Sequence, residues 1–153
     1  KLLEEKLPVE SLTVMVQKEA AVRICAAPGT RACGAVSVAV QYYSQPQILF
    51  DVPRDCFFPA PNVDSAVIRL NIRKEPPVKL ETEEKQFFKL VKAAFGQRRK
   101  TVLNSLNTGL GKSKEELSAA LQQAGIAPTA RAEQLTMEQF GTLCNLLFPN
   151  KAK

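Results

Sequence analysis

Histidine and tryptophan are absent from the 153 residues, and cysteine occurs only four times. Without histidine, the chain lacks the commonest general base and the commonest metal ligand. The four cysteines form no Cys-x-x-Cys pair, which argues against a zinc ribbon or a dithiol redox centre. We interpret them as reduced thiols and expect a cytoplasmic protein without a metal site; they are Cys25, Cys33, Cys56 and Cys144.

Long apolar runs are missing as well. No stretch of about 18 apolar residues occurs, so the sequence predicts no membrane-spanning helix. With 45% hydrophobic and 24% charged residues, the composition is typical of a globular protein. The chain begins without Met, and Leu2, Leu3 and Leu7 are spaced as in the last turns of a helix before Pro8. We therefore expect a fragment of a longer protein, with a frayed end at residues 148–153.

The positive charge is concentrated in the second half. Residues 1–76 contain nine basic and eight acidic residues, whereas residues 77–153 contain twelve basic and seven acidic ones. A basic half of this kind indicates a polyanionic partner, with nucleic acid the leading candidate. An ordinary solvated surface is the alternative, and charge alone does not separate the two.

Strands dominate the first half. Apolar and β-branched runs predict three strands, at residues 11–17, 47–52 and 64–73. A helix is expected at residues 18–27, and residues 35–43 fit either a strand or a buried helix. Residues 57–62 form a stiff extended loop, because Pro59 and Pro61 fix their own φ and keep the residues before them out of the helical region.

The second half is helical. A proline pair in residues 74–78 has no place in a regular element, so we place a domain boundary there, dividing the chain into residues 1–75 and 76–153. Thr82, Ser113 and Thr136 are candidate helix N-caps, and the last two have Glu or Gln three residues later, the pattern of a capping box. The predicted helices span residues 82–95, 97–106, 113–125 and 136–148.

Two features of the second half are candidates for phosphate binding. Lys85, Lys89 and Lys92 share one side of the first predicted helix. Gly96 is expected to break that helix, so that a compact basic cluster opens the next one. Arginine offers phosphate a bidentate pair of hydrogen bonds, which favours nucleic acid over a merely charged surface; the cluster is Arg98, Arg99 and Lys100.

Phe57 and Phe58 lie on the proline-stiffened loop. An exposed Phe on such a loop can stack on a nucleic-acid base, but composition alone favours burial of both rings. Tyr42 and Tyr43 are expected to pack half-buried on the sheet rather than stack on bases. For three aspartates we expect helix capping or solvation rather than catalysis or metal binding; they are Asp51, Asp55 and Asp64.

Several segments occur in the order seen in one protein family. They include Gln17-Lys18-Glu19, Gln41-Tyr42-Tyr43, Phe57-x-Pro59-x-Pro61-x-Val63-Asp64-Ser65-Ala66-Val67 and Gln97-Arg98-Arg99-Lys100-Thr101. The chain closely resembles the C-terminal part of the bacterial small-subunit ribosomal RNA adenine dimethyltransferases (the KsgA/RsmA family). The resemblance implies an α/β plus α fold: the C-terminal part of a Rossmann-like methyltransferase domain, followed by a small helical bundle. It also implies that residues 35–43 are helical.

The resemblance further implies an activity. Members of the family use S-adenosylmethionine to dimethylate two adjacent adenines near the 3′ end of small-subunit rRNA, and the full-length enzymes are expected to be monomers. Phe57 would stack on the target adenine, and the basic residues would bind rRNA. The cofactor-binding motifs of the family are absent here and are expected upstream of residue 1, so the chain alone should neither bind S-adenosylmethionine nor transfer methyl groups.

Three alternatives remain open. The macrolide-resistance methyltransferases, which modify large-subunit RNA, share the architecture but typically have Asn-Ser in place of Asp64-Ser65. A non-enzymatic RNA-binding module would use the basic helices alone, and a purely structural domain has only the composition in its favour. Because half a sheet would leave an apolar edge and face exposed, we also expect poor solubility or self-association.

Overall fold

A computed structural model describes residues 8–149. The helical turns predicted at Leu2, Leu3 and Leu7 lie outside these residues, as do residues 150–153 of the predicted frayed end. Short 3-10 turns occur at Arg54–Cys56 and Ala132–Gln134. The strands and α-helices follow one another as β1 (Ser11–Gln17), α1 (Lys18–Ile24), α2 (Ala35–Tyr43), β2 (Ser44–Val52), β3 (Ser65–Ile72), α3 (Glu84–Ala94), α4 (Val102–Leu110), α5 (Lys114–Gln123) and α6 (Met137–Leu147).

The three strands form one antiparallel sheet in the order β1-β3-β2. β2 begins at Ser44, three residues before the predicted start, and includes Pro46. A proline is tolerated there because β2 lies at the edge of the described sheet. Helices α1 and α2 cover one face, where a small apolar core forms from Ala21, Val40, Ala66, Ile68 and Leu70.

The opposite face of the sheet is open. Met15 of β1 and Phe50 of β2 lie on either side of Val67 of β3. Met15 is 51% exposed and Phe50 is 57% exposed. Side chains alternate between the faces of a strand, so this apolar row points away from α1 and α2. The expected exposed apolar surface is therefore present, whereas the self-association inferred from it stays a prediction.

Helix α2 resolves the ambiguous segment. Val40 packs into the core beneath the sheet, whereas Val38 and Tyr42 pack into the core of the helical half. A helix buried on several sides is apolar nearly all round, and so has no clear helical period in its sequence. This is why the pattern of residues 35–43 fitted a strand equally well.

Helices α3 to α6 surround a larger core that α2 also enters. The Tyr42 ring lies 5.2 Å from Phe87 and 5.3 Å from Phe88, measured between centroids. Tyr43 is partly buried, and its hydroxyl donates to a Glu84 carboxylate oxygen at 3.1 Å. Both rings are packed rather than open to bases, but Tyr42 is only 3% exposed and lies in the helical core. The prediction that the two tyrosines lie half-buried on the sheet is therefore wrong, because α2 turns these side chains towards α3. The division of the chain at residues 75 and 76 stays a prediction.

Some helix ends differ from those predicted. Glu83, not Thr82, is the N-cap of α3. Residues 97–100 form turns rather than the start of a helix, because the Thr101 hydroxyl accepts the Asn104 N–H at 3.3 Å and starts α4 there. The capping box of Thr136 and Gln139 is confirmed in both directions, at 3.2 and 3.0 Å.

Close packing of α3 against α4 depends on Gly109. A Cβ added at this position would lie 2.6 Å from the Ala93 Cβ and 3.0 Å from its Cα. We expect Gly109→Ala to destabilise the fold by about 1–3 kcal/mol through overpacking, measured by urea unfolding. Helix propensity alone would stabilise this variant by about 1 kcal/mol, so a more stable Gly109→Ala protein would contradict the packing. Thr108→Ala, an exposed neighbour, is the control.

Candidate nucleic-acid interface

Five arginines line one cavity of about 610 Å³. They come from separate parts of the chain, and Glu133 is the only acidic residue among the lining residues. All five are exposed; they are Arg23, Arg31, Arg98, Arg99 and Arg131.

Backbone and hydroxyl contacts bring these arginines together. The Ser37 hydroxyl accepts the Gly34 N–H and donates to the Arg23 carbonyl, which joins the end of α1 to the start of α2. The Val102 N–H donates to the Ala130 carbonyl at 2.8 Å. That bond holds the residue before Arg131 against the start of α4, close in sequence to the turns that present Arg98 and Arg99.

The electrostatics of the cavity suit an anion. Within residues 8–149, the ionic contacts of 4.0 Å or less are made by lysines, and none of the five arginines takes part in one. Gly34 and Ala35 at the N-terminus of α2 also line the cavity, and the helix dipole adds positive potential there. The guanidinium groups are thus available to phosphate oxygens.

Residues 57–62, with Phe57 and Phe58, form a loop that we call the aromatic loop. Hydrogen bonds hold its base in place. Asp64 accepts the Arg54 N–H through Oδ1 at 2.9 Å, and its carbonyl accepts the Lys18 N–H at 2.9 Å. The Arg54 guanidinium donates to the Asn62 carbonyl at 3.1 Å. These bonds close the loop onto the junction of β1 and α1, with Phe57 half-buried on it.

A second cavity, of about 660 Å³, opens at this base. Lys18 lines it and pairs with Asp51 at 2.9 Å; the hydrogen bond to Asp51 and its charge raise the pKa of Lys18. Asp51 and Asp64 therefore act as partners of nearby groups, and residues 8–149 contain no acidic, histidine or cysteine cluster able to hold a metal ion. The remaining lining residues are Gln17, Glu19, Arg54, Asp55, Val63 and Asp64.

A shallow groove along α1 joins the two cavities. A third cavity, of about 440 Å³, shares Glu19 with the loop cavity. It shares Arg23, Arg31 and Arg98 with the arginine cavity. At about 1.5 Å of helix rise per residue, the first and last turns of α1 are near enough for one nucleic-acid strand to pass both. The groove thus leads from the base of the aromatic loop to the arginines, and the rings of Phe57 and Phe58 lie outside its lining.

Not all predicted basic residues lie in this groove. Lys100, Lys89 and Lys92 are exposed but do not line the cavities described above. Lys85 lies near Glu83, with 4.0 Å between the Nζ and Oε2 atoms, and lines a different cavity beside Phe148. Arg98 and Arg99 are the predicted residues that the fold places in the groove.

Sequence reasoning missed three arginines of the cavity. Arg23, Arg31 and Arg131 are isolated in the sequence and have no basic neighbours. No local signal could have found them, because the five arginines come together only where separate segments of the folded chain line one cavity.

The described residues do not fit a dinucleotide-like or S-adenosylmethionine cradle. Such cradles need a glycine-rich turn between a parallel strand and a helix. Here β1 runs directly into α1 through Gln17 and Lys18, without glycine, and the three described strands are antiparallel.

None of the helices in this part of the chain has both the length and the apolar character needed to cross a bilayer.

The thiols give a test of the fold around the interface. Burial raises the pKa of Cys33 and of Cys144 to about 11, whereas Cys56 is exposed. Because the thiolate is the reactive form, we expect a disulfide reagent at pH 8 to label Cys56 quickly, and the two buried thiols only after denaturation. Equal labelling rates in the native protein would contradict this burial.

The same two thiols predict a pH dependence of stability. Their raised pKa means that the folded state favours the protonated form, so the stabilisation is complete below the ordinary thiol pKa of 9.0. It is lost as the pH rises from there towards about 11, because the unfolded thiols ionise first. Urea midpoints at pH 8 and pH 10.5 measure the loss, which should shrink in Cys144→Ala.

Comparisons with known proteins show which family the chain resembles. The family model described as "Ribosomal RNA adenine dimethylase" matches residues 1–148. The chain is 51% identical to "Ribosomal RNA small subunit methyltransferase A" of Geobacillus thermodenitrificans, over 97% of this chain and 52% of the relative. It is 53% identical to the protein of the same name from Alkaliphilus oremlandii, over 96% of this chain and 51% of that relative. The chain thus spans about half the length of the curated relatives it matches.

Solved structures share the fold. A dimethyladenosine transferase from Plasmodium falciparum superposes with a TM-score of 0.71 at 22% identity, over 92% of this chain and 58% of that one. The 23S rRNA methyltransferase ErmE superposes with a TM-score of 0.64 at 26% identity, over 94% of this chain and 57% of that one. With a family model matched over nearly its whole length, the chain belongs to the ribosomal RNA adenine dimethylase family.

Proposed function

We propose that this chain is the RNA-binding portion of an enzyme that dimethylates adenines of small-subunit ribosomal RNA. One observation carries the proposal: a groove along α1 connects the base of the aromatic loop with five arginines that form no salt bridge within residues 8–149. Family membership and relatives at about half identity, named as small-subunit methyltransferases, support the substrate. A cytoplasmic location belongs to the same proposal.

Phe57 is the residue proposed to hold the target adenine. An enzyme that modifies a base within folded RNA must take it out of its stack and hold it in a pocket. A half-buried ring on a loop closed by Arg54 and Asp64 offers a fixed stacking surface. Positioning and desolvation of the exocyclic amine contribute to the reaction without a strong base, which is compatible with a chain that lacks histidine.

S-adenosylmethionine is the proposed methyl donor. Since residues 8–149 do not fit its cradle, we place its site in the part of the full-length relatives that this chain does not span. The role of this chain would be to bind and orient the RNA. The described residues that would do so are Phe57 in the loop, Arg98 and Arg99 in the cavity, and Lys100, Lys85, Lys89 and Lys92 on the exposed surface of residues 76–153.

A large-subunit substrate is the second candidate. It has the structural likeness to ErmE in its favour, at 26% identity. The small-subunit relatives are twice as similar in sequence, and Asp64-Ser65 matches the small-subunit pattern rather than Asn-Ser. We therefore favour the small subunit.

Phe57→Ala tests the stacking role. Loss of one stacked base should weaken binding of an adenine-rich single-stranded RNA by about 1–3 kcal/mol, which is about 5- to 150-fold in Kd. Fluorescence anisotropy of a labelled oligonucleotide gives the affinity, and circular dichroism shows whether the variant folds. Phe50→Ala, which removes an exposed ring on the open sheet face, is the control. A folded Phe57→Ala chain with wild-type affinity would contradict the assignment.

A further inference from the structure

Phe58 is the most exposed large apolar side chain among residues 8–149. Its relative exposure is 102%, whereas the other exposed large hydrophobic residues lie between 37% and 57%. A ring that is fully in solvent contributes no buried area to the stability of the described fold. Neither the family resemblance nor the groove assigns it a role.

The backbone places Phe58 opposite Phe57. Phe57 has φ −112° and ψ 154°, an extended conformation. Successive side chains of an extended chain point to opposite sides, in agreement with one ring that is half-buried and a next ring that is free. The two rings therefore cannot stack on one face of the same base. They present two separate stacking surfaces.

The loop is held in place by its own residues. Pro59 and Pro61 fix two φ angles within it, and Asp64 ties its far end to the Arg54 N–H at 2.9 Å. Stacking on a ring held in this way costs little conformational entropy. The cavity at the base of the loop carries the carboxylates of Glu19, Asp55 and Asp64 beside its two cations. The attraction for the phosphates of a bound strand therefore comes from the arginine cavity at the other end of the groove.

We propose that Phe58 is a second base-stacking residue, which takes an unpaired base neighbouring the one at Phe57. The inference deepens the proposed RNA-binding function and rests on it. Single-stranded RNA is favoured over a protein partner because the groove that starts at the base of this loop leads to the five arginines. Phe57 would hold the base that reacts, and Phe58 would fix the register of the strand beside it.

The absence of tryptophan from the chain allows a direct test. Phe58→Trp introduces a single indole at the proposed stacking surface, and Phe50→Trp introduces one on the open sheet face as a matched control. Each variant is titrated with hexa-adenylate, and separately with heparin, a polyanion without bases. Anisotropy of labelled hexa-adenylate measures binding independently of the indole signal.

Stacking at Phe58 gives a defined set of results. Hexa-adenylate should quench the indole of Phe58→Trp while leaving Phe50→Trp unchanged, and heparin should quench neither. Phe58→Ala should raise the Kd for hexa-adenylate by about fivefold or more, and Phe58→Trp should restore it.

Other results would overturn the inference. Bound hexa-adenylate that leaves the Phe58→Trp emission unchanged would remove Phe58 from the site while leaving the proposed RNA binding intact. A change in that emission with protein concentration alone would assign the ring to a protein contact. If the wild-type chain shows no binding by anisotropy, the inference and the proposed function both fail.

Discussion

Replacing Arg23, Arg98 and Arg131 together by glutamine is expected to weaken RNA binding by about 100-fold or more at 0.1 M salt. Each arginine lines the cavity of about 610 Å³ from a different segment of the chain. A hydrogen bond to a charged group contributes about 1.5–3 kcal/mol, so three lost phosphate contacts account for at least this factor. The affinity is measured by anisotropy with a labelled single-stranded RNA.

The salt dependence separates local contacts from total charge. Each lost phosphate contact should lower the slope of log Kd against log salt concentration by about 0.7 for a single strand, which amounts to about 2 for the triple variant. Lys74, Lys79 and Lys114 are exposed and lie outside the groove. Changing these three to glutamine removes the same charge and should alter the affinity only a few-fold. Equal losses in the two triple variants would show that binding follows net charge and not the cavity.

Phe87→Ala is expected to destabilise the protein by about 3–5 kcal/mol, the usual cost of truncating a buried Phe. Phe87 is 0% exposed, and its ring lies 5.2 Å from Tyr42 of α2 and 5.3 Å from Phe88. The substitution leaves a cavity where α2 meets α3. A loss of this size is a large part of the 5–15 kcal/mol that stabilises a typical domain.

Urea unfolding followed by circular dichroism measures this effect. Phe50→Ala removes a ring of the same kind from the open sheet face, where Phe50 is 57% exposed. It should lower the free energy of unfolding far less than Phe87→Ala does. Similar losses in both variants would contradict the burial of Phe87 between α2 and the helical core.

Much of the fold follows from short-range sequence signals. Alternation along residues 64–73 predicts β3 to within one residue at each end, because one face of that strand is buried. The capping box at Thr136 likewise fixes the start of α6. The period of α2 is hidden because it packs into two cores at once, and the start of α4 at Thr101 is obscured by the neighbouring basic cluster.

The candidate site was only partly predictable. Arg98 and Arg99 stand out because they are adjacent, whereas Arg23, Arg31 and Arg131 acquire meaning only when α1 and the segment before α6 pack beside them. Phe57 was singled out only by the family resemblance, in which the Phe-x-Pro-x-Pro spacing selects it. The full exposure of Phe58 depends on the direction of the backbone at Phe57, which no residue pattern specifies.

The most direct test is the binding of this chain to purified ribosomal subunits that lack the adenine modification. Cosedimentation is measured with small and large subunits across a range of salt concentrations, with the Arg23, Arg98 and Arg131 triple variant alongside. We expect the wild-type chain to bind small subunits more tightly than large ones, with a steep salt dependence that the triple variant loses. Equal binding to both subunits, or none to the small subunit, would contradict a role for this chain in recognising small-subunit rRNA.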